Sequence, residues 1–196
     1  MAGLIVSING KPIASVSVDG LNILTTQVHG DVLGEELAAL DVHGGLYGQG
    51  DADKHLIWVS DHAVSAEDEV EIAFAEDVST SYRGKTIEEL HPESGDQEVS
   101  EQSMEGLAKE ISARPKLRDG FHFELLPPGG DLVQASTDPD VFSYHLSAMW
   151  NWSKPDKARV WLTSNSLEKI VNGEDGTRHA AFALMFGEKL TFRICA

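Results

Sequence analysis

Asp51, Asp53 and His55 stand at alternate positions of the loop Gly48-Gln49-Gly50-Asp51-Ala52-Asp53-Lys54-His55. Alternate side chains of an extended segment share a face, so these three can offer two carboxylates and an imidazole to one metal ion. The spacing is not that of an EF-hand. His55 takes the third acidic position, Leu56 stands where the glycine belongs, and the twelfth position is His62 rather than Glu. Lys54 places a positive charge among the ligands, which favours a turn with solvated acids. A second cluster is Trp150-Asn151-Trp152, with Trp58 and Trp161. In a strand Trp150 and Trp152 share a face, where exposed indoles would stack sugars or anchor an interface and buried ones would pack a core. Trp58, Trp150 and Trp152 are thus the candidate ligand- or partner-contacting residues.

The eight histidines are His29, His43, His55, His62, His91, His122, His145 and His179. None pair as H-x-x-x-H or H-E-x-x-H, so no zincin helix is encoded. His43 and His55 are expected to converge across neighbouring strands, as are His122 and His145. No G-x-S-x-G elbow or S-x-x-K occurs, and neither a P-loop nor a strand-led G-x-G-x-x-G is present. Cys195, the single cysteine, falls on an alternating apolar stretch and reads as an inert core thiol. No catalytic residue and no cofactor is assigned.

The elements that must position these residues are strands. Leu4 to Ile8, Pro12 to Val18 and Leu21 to Val28 alternate apolar and polar residues around Asn9-Gly10 and Asp19-Gly20 turns. A short helical turn is expected at Leu33 to Leu37, then a strand at Ala39 to His43. Asp53 to Val59 and Asp68 to Phe74 read as a β-hairpin. The chain's end echoes it, with Arg178 to Leu184 followed by Gly187 to Ile194. Between the halves, Thr86-Ile87-Glu88-Glu89 has the form of a capping box and Glu93 to Gln102 reads as an acidic linker. Met104, Leu107, Ala108 and Ile111 fall on one helix face, expected to pack on a β-domain. Phe121 to Leu126, Asp131 to Ser136, Val141 to Trp150 and Ala158 to Thr163 resume β-character.

Aligned in order, the halves match at an offset near 120 residues, which points to tandem duplication of one β-module. The expected fold is mainly β, two similar sandwich- or barrel-like units in tandem with a short helical connector. The boundaries are 1–76, 77–119 and 120–196. The first half resembles a group of small acidic β-rich bacterial proteins. It shares with them the Asn9-Gly10 turn, the strand His55-Leu56-Ile57-Trp58 and the strand Asp68-Glu69-Val70-Glu71-Ile72. That resemblance implies no activity.

The chain carries 32 acidic residues against 15 basic ones, a formal net charge of −17. Phosphate-backbone binding needs clustered Lys and Arg, and no such run exists. No apolar window is long enough to span a membrane, and the N-terminus lacks the basic stretch of a signal peptide. The function expected is a non-catalytic, cytoplasmic binding protein directed at a basic protein, in the manner of an inhibitor or immunity protein, with a homodimer as an allowed assembly. The alternative is a carbohydrate- or metal-binding module centred on Asp51, Asp53, His55 and the Trp150/Trp152 face.

Overall fold

The computed structural model describes residues 1–48, 50, 53–92 and 103–195. Strands β1 (Gly3–Ile8) and β2 (Lys11–Ser17) pair around Asn9 and Gly10, both at positive φ. That is the mirror-image turn whose twist matches the flanking strands. The Asn9 carboxamide also ties this turn to a distant one. Its Nδ2 donates to Asp68 Oδ1 at 2.6 Å, and its Oδ1 accepts from the Glu69 N–H at 2.9 Å.

Strands β3 (Ile23–Asp31), β4 (Ala38–Leu46) and β5 (Lys54–Val64) form an antiparallel meander, and β6 (Val70–Ala75) follows. No helical turn forms between β3 and β4. The Asp31 carboxylate accepts the N–H groups of Leu33 and Gly34, holding an irregular bend instead. The glycine-rich stretch that leads into the Gly48–His55 loop begins as strand at Gly44 and Gly45. A Cβ on Gly45 would lie 2.1 Å from the Lys54 carbonyl, so glycine lets β4 and β5 approach there.

Helix α1 (Ile87–Leu90) starts on the expected capping box, with Thr86 and Glu89 satisfying each other's backbone. Helix α2 (Met104–Ser112) is capped by Ser103. The expected acidic linker, Glu93 to Gln102, lies outside the described residues. The second half comprises β7 (His122–Leu126), β8 (Val133–Ser136), β9 (Val141–Asn151), β10 (Lys157–Ser166), α3 (Leu167–Asn172), β11 (Thr177–Met185) and β12 (Glu188–Cys195).

These strands form two six-stranded antiparallel sheets, and neither closes into a barrel. The first has the order β2-β1-β6-β12-β7-β8 and the second β11-β10-β9-β3-β4-β5. Each half supplies three adjacent strands to each sheet, so each is a three-on-three sandwich. The halves join where β6 pairs β12 and β3 pairs β9. At these two junctions Glu71 faces Thr191 and Gln27 faces Ser147. Both pairs stand at the 120-residue offset. Ion pairs Glu71–Lys189 and Glu69–Arg193 cross the first junction on its outer surface.

The two expected hairpins are not hairpins. β5 lies in the second sheet and β6 in the first, and β11 and β12 are divided in the same way. Both partners of each pair are amphipathic. Val59 and Val64 on β5 face Val70, Ile72 and Phe74 on β6 through one core, and Leu184 likewise faces Leu190 and Phe192. Two strands that bury their apolar faces in opposing layers cannot also share a ladder. One continuous core fills the space between the sheets, with Phe121, Phe123, Tyr144 and Phe192 packed ring against ring.

The α2 stripe differs from expectation. No residue of this helix is fully buried, and Met104 and Leu107 are exposed. Of the stripe, only Ile111 lines a cleft, of about 290 Å³, shared with Val32, Phe142 and Leu167. Among the described residues no helix is long and apolar enough to cross a membrane.

Candidate functional site

Inward Leu24, Val28, Leu40, Val42, Leu146 and Trp150 fix which residues of the second sheet point out. Strand alternation then sends His29, Asp41, His43 and His145 to the outer face. There His29 Nε2 and Asp41 Oδ2 are 2.6 Å apart. Two irregularities in the β4–β5 register let β5 bend around this point. Asp61 takes a positive φ of 51°, and its N–H donates to Asp41 Oδ1 at 2.8 Å. One turn of the meander away, the Tyr47 hydroxyl meets His55 Nδ1 at 2.5 Å, and the His43 and His55 rings lie 5.5 Å apart. A shallow depression of about 320 Å³ opens between Asp41, His43, His55 and Asp61. Across the β3–β9 junction, His29 faces His145, whose Nε2 lies 2.9 Å from Thr163 Oγ1 and 3.3 Å from the Trp161 indole nitrogen.

The electrostatics split these imidazoles into two kinds. The hydrogen bond to Asp41 raises the His29 pKa above its ordinary value. Burial opposes this, and the charges of Asp41, Asp61 and Asp31 add to it. For Asp41 burial pushes the carboxyl up, but the His29 bond and the Asp61 N–H outweigh it and the carboxyl is held below its usual range. His43 is lowered by burial and by His55, and His145 by burial and by His29. Burial, with the Asp53 charge, raises the Tyr47 phenol. The face thus holds one imidazole biased toward its cation beside two biased toward neutrality.

Of the residues expected from the loop, His55 is in this face and Asp53 is exposed at its edge. Asp51 lies outside the described residues. The ligand-type atoms that do converge are those of His29, Asp41 and Asp61, all within 4.8 Å of one another. An ion there would replace the proton that His29 shares with Asp41, because a ligating imidazole must be neutral. His43 and His55 converge as expected. His122 and His145 do not: His122 is on the first sheet, bonded to Ser136, whereas His145 is on the outer face of the second.

The tryptophans do not form one platform. Trp150 is 4% exposed in the core and its indole donates to the Pro155 carbonyl. Trp152 is 66% exposed, because β9 ends at Asn151 and the chain turns there. Trp58 packs against the core beneath the Gly84 backbone. The indole that joins the outer face is Trp161. Cys195 is half-buried at the end of β12, and burial together with Glu124 and Glu67 raises its thiol pKa.

No family model, no curated protein and no solved structure gave a match.

Proposed function

We propose that this protein is a non-catalytic binding protein that meets a basic macromolecule through the strands of its first half, with the Asp41–Asp61 face of β3 to β5 as the centre of contact. The observation that carries the reading is where the charge lies. Residues 1–76 hold 13 acids and 2 bases, whereas residues 120–196 hold 9 acids and 7 bases. Each half keeps its own three adjacent strands in each sheet, so this asymmetry gives one side of the sandwich most of the negative field. Exposed Asp53 and Asp61 carboxylates around half-buried imidazole, phenol and indole groups are what a cationic surface would meet, and such fields mainly speed encounter. A cytoplasmic setting agrees with this reading, and so does descent of the two halves from one ancestral module. The palindromic strand orders and the two 120-residue junction pairs support that descent.

The test is retention of a basic protein from source lysate on immobilised protein, at low and at high salt, beside an Asp41→Asn/Asp61→Asn variant. A basic protein held at low salt, released at high salt and weakened by the variant is expected. Retention that is indifferent to salt, or no basic protein held at all, ends the proposal.

A second reading, divalent-cation binding, is favoured by one observation: the ligand atoms of His29, Asp41 and Asp61 lie close enough together to surround a single ion.

A further inference from the structure

The four edge strands of this sandwich are treated unequally. In the first half, residues between β6 and α1 cover both edges. On β2, the Ser81 N–H donates to the Ser15 carbonyl at 2.9 Å, and the Ser17 N–H donates to Thr80 Oγ1 at 3.0 Å. On β5, Ile57 and Lys85 exchange two backbone bonds of 2.8 Å each, and the Tyr82 hydroxyl donates to the Trp58 carbonyl. In the second half β8 is only 4 residues long, too short to template much. β11 is different. It has 9 residues, ends its sheet, and among the described residues nothing pairs along its free side.

The register against β10 slips once, at His179, and beyond that point the sequence of this edge does not protect it either. Proteins blunt open edges with charges, proline or bulges. From His179 to Phe186 β11 and its turn read His-Ala-Ala-Phe-Ala-Leu-Met-Phe, without one acid in a chain that has 32. The strand's direction can be read from its end. The Met185 N–H is accepted by the Glu188 carboxylate at 2.8 Å and so is not given to β10. Residues two apart in an antiparallel strand send their N–H and C=O groups the same way. Ala183 and Ala181 therefore also present theirs to the open side.

We infer that β11 is a self-association edge, on which a second copy of this chain docks its own β11 antiparallel to make one sheet of twelve strands. Three observations select a second copy as the occupant. The edge carries no acid in a strongly acidic chain, so two copies approach there with little carboxylate repulsion. Antiparallel pairing centred on Phe182 sets Ala181 opposite Ala183 of the second copy and, because the register slips at His179, Arg178 opposite its Met185, beside the carboxylate of that copy's Glu188. The charges complement each other twice across the axis. Finally, the corresponding edge in the first half, β5, is bridged by this same chain at Ile57 and Lys85, so the fold itself pairs backbone onto that edge. The inference does not rest on the proposed basic partner.

The experiment is sedimentation equilibrium of the full chain across a concentration series, with Ala183→Pro and Ala181→Glu variants. Proline at position 183 removes a donor that no ladder bond uses, and position 181 is exposed, so both variants should keep the wild-type circular dichroism. The expected result is a wild-type mass that rises toward twice 21.3 kDa, with both variants held at 21.3 kDa. Amide exchange at Ala181 and Ala183 should slow as the wild type associates. A wild type that remains monomeric overturns the inference. So does a dimer that survives Ala181→Glu, or one that leaves these two amides unprotected. Should Ala183→Pro alter the fold, Ala181→Glu and the exchange data still decide.

Discussion

Asp41→Asn should weaken the folded state in mild acid and have much less effect in mild alkali. Asn keeps an oxygen for the Asp61 N–H, so the substitution removes the charge facing His29 with little else disturbed. The His29 side chain is 39% exposed and that of Asp41 22%, so solvent screens much of the attraction. A charge-assisted hydrogen bond is worth roughly 1.5–3 kcal/mol when shielded, and exposed pairs about 0.2–1, which puts this one near 1 kcal/mol.

The sign follows from the two shifts. His29 has a raised folded pKa, so its contribution is complete below its unfolded value of about 6.5 and is lost as pH rises through the folded value. Asp41 has a lowered folded pKa, so its contribution is complete above about 3.9 and is lost as pH falls through the folded value. The window of full benefit therefore runs from about pH 4 to pH 6.5. At about pH 5.5 the variant should melt roughly 2–4 °C below the wild type, and at about pH 8.5 the gap should narrow. An NMR titration should show the His29 midpoint falling in the variant. An equal melting difference at both pH values, or an unmoved His29 midpoint, would refute the pairing.

Addition of Zn²⁺ to chelator-stripped protein at about 100 times Kd should stabilise the fold by about 2.7 kcal/mol, a melting rise of roughly 5–10 °C that Asp41→Asn abolishes. No rise in the wild type would dispose of the cation reading. Tyr144→Phe should leave stability unchanged or raise it by about 1–2 kcal/mol in urea unfolding, because the Tyr144 hydroxyl is buried without a partner among the described residues. Its ring contacts at 4.6 Å to Phe121 and 4.7 Å to Phe123 would survive the change. A loss of about 1 kcal/mol or more would mean that the hydroxyl is satisfied by something bound in the core.

What could be read ahead of the structure followed from local periodicity. Ala158 to Thr163 alternates because β10 buries one face, and Thr86 and Glu89 announced α1 because a capping box is a four-residue device. Helix α3 was equally local, with Ser166 as its N-cap and Gly173 in the left-handed region. A stretch of six residues gives apolar periodicity too little length to register. The layer assignment of β5 and β6 was not legible. A short link and two amphipathic strands look the same whether the strands share a ladder or face each other through a core.

The face at His29 and Asp41 shows the same limit from the other side. The two stand 12 residues apart and meet because β3 and β4 pair Gln27 with Asp41 and His29 with Ala39, placing imidazole and carboxylate on a diagonal. Folding the sequence about the bend after Asp31 would have brought them together. Asp61 could not have been found that way, since it reaches Asp41 only through two register shifts in β5. The Trp150/Trp152 pair failed for a related reason. Alternation predicts a shared face only while the strand lasts, and β9 stops between them.

The order of the second sheet also separates the two surfaces proposed above. β11 and β5 are its opposite edges, with β10, β9, β3 and β4 between them. A copy joined at β11 therefore leaves the Asp41–Asp61 face of β3 to β5 open on both protomers, and doubles it. Two equivalent faces held on one rigid sheet would bind a bivalent or surface-bound basic partner more tightly than either face alone, at no cost in new contacts. A monomeric target in solution would show no such gain. Ala181→Glu should therefore reduce retention on a dense basic surface while leaving the affinity for a single basic protein unchanged, and equal loss on both would mean that the two surfaces overlap.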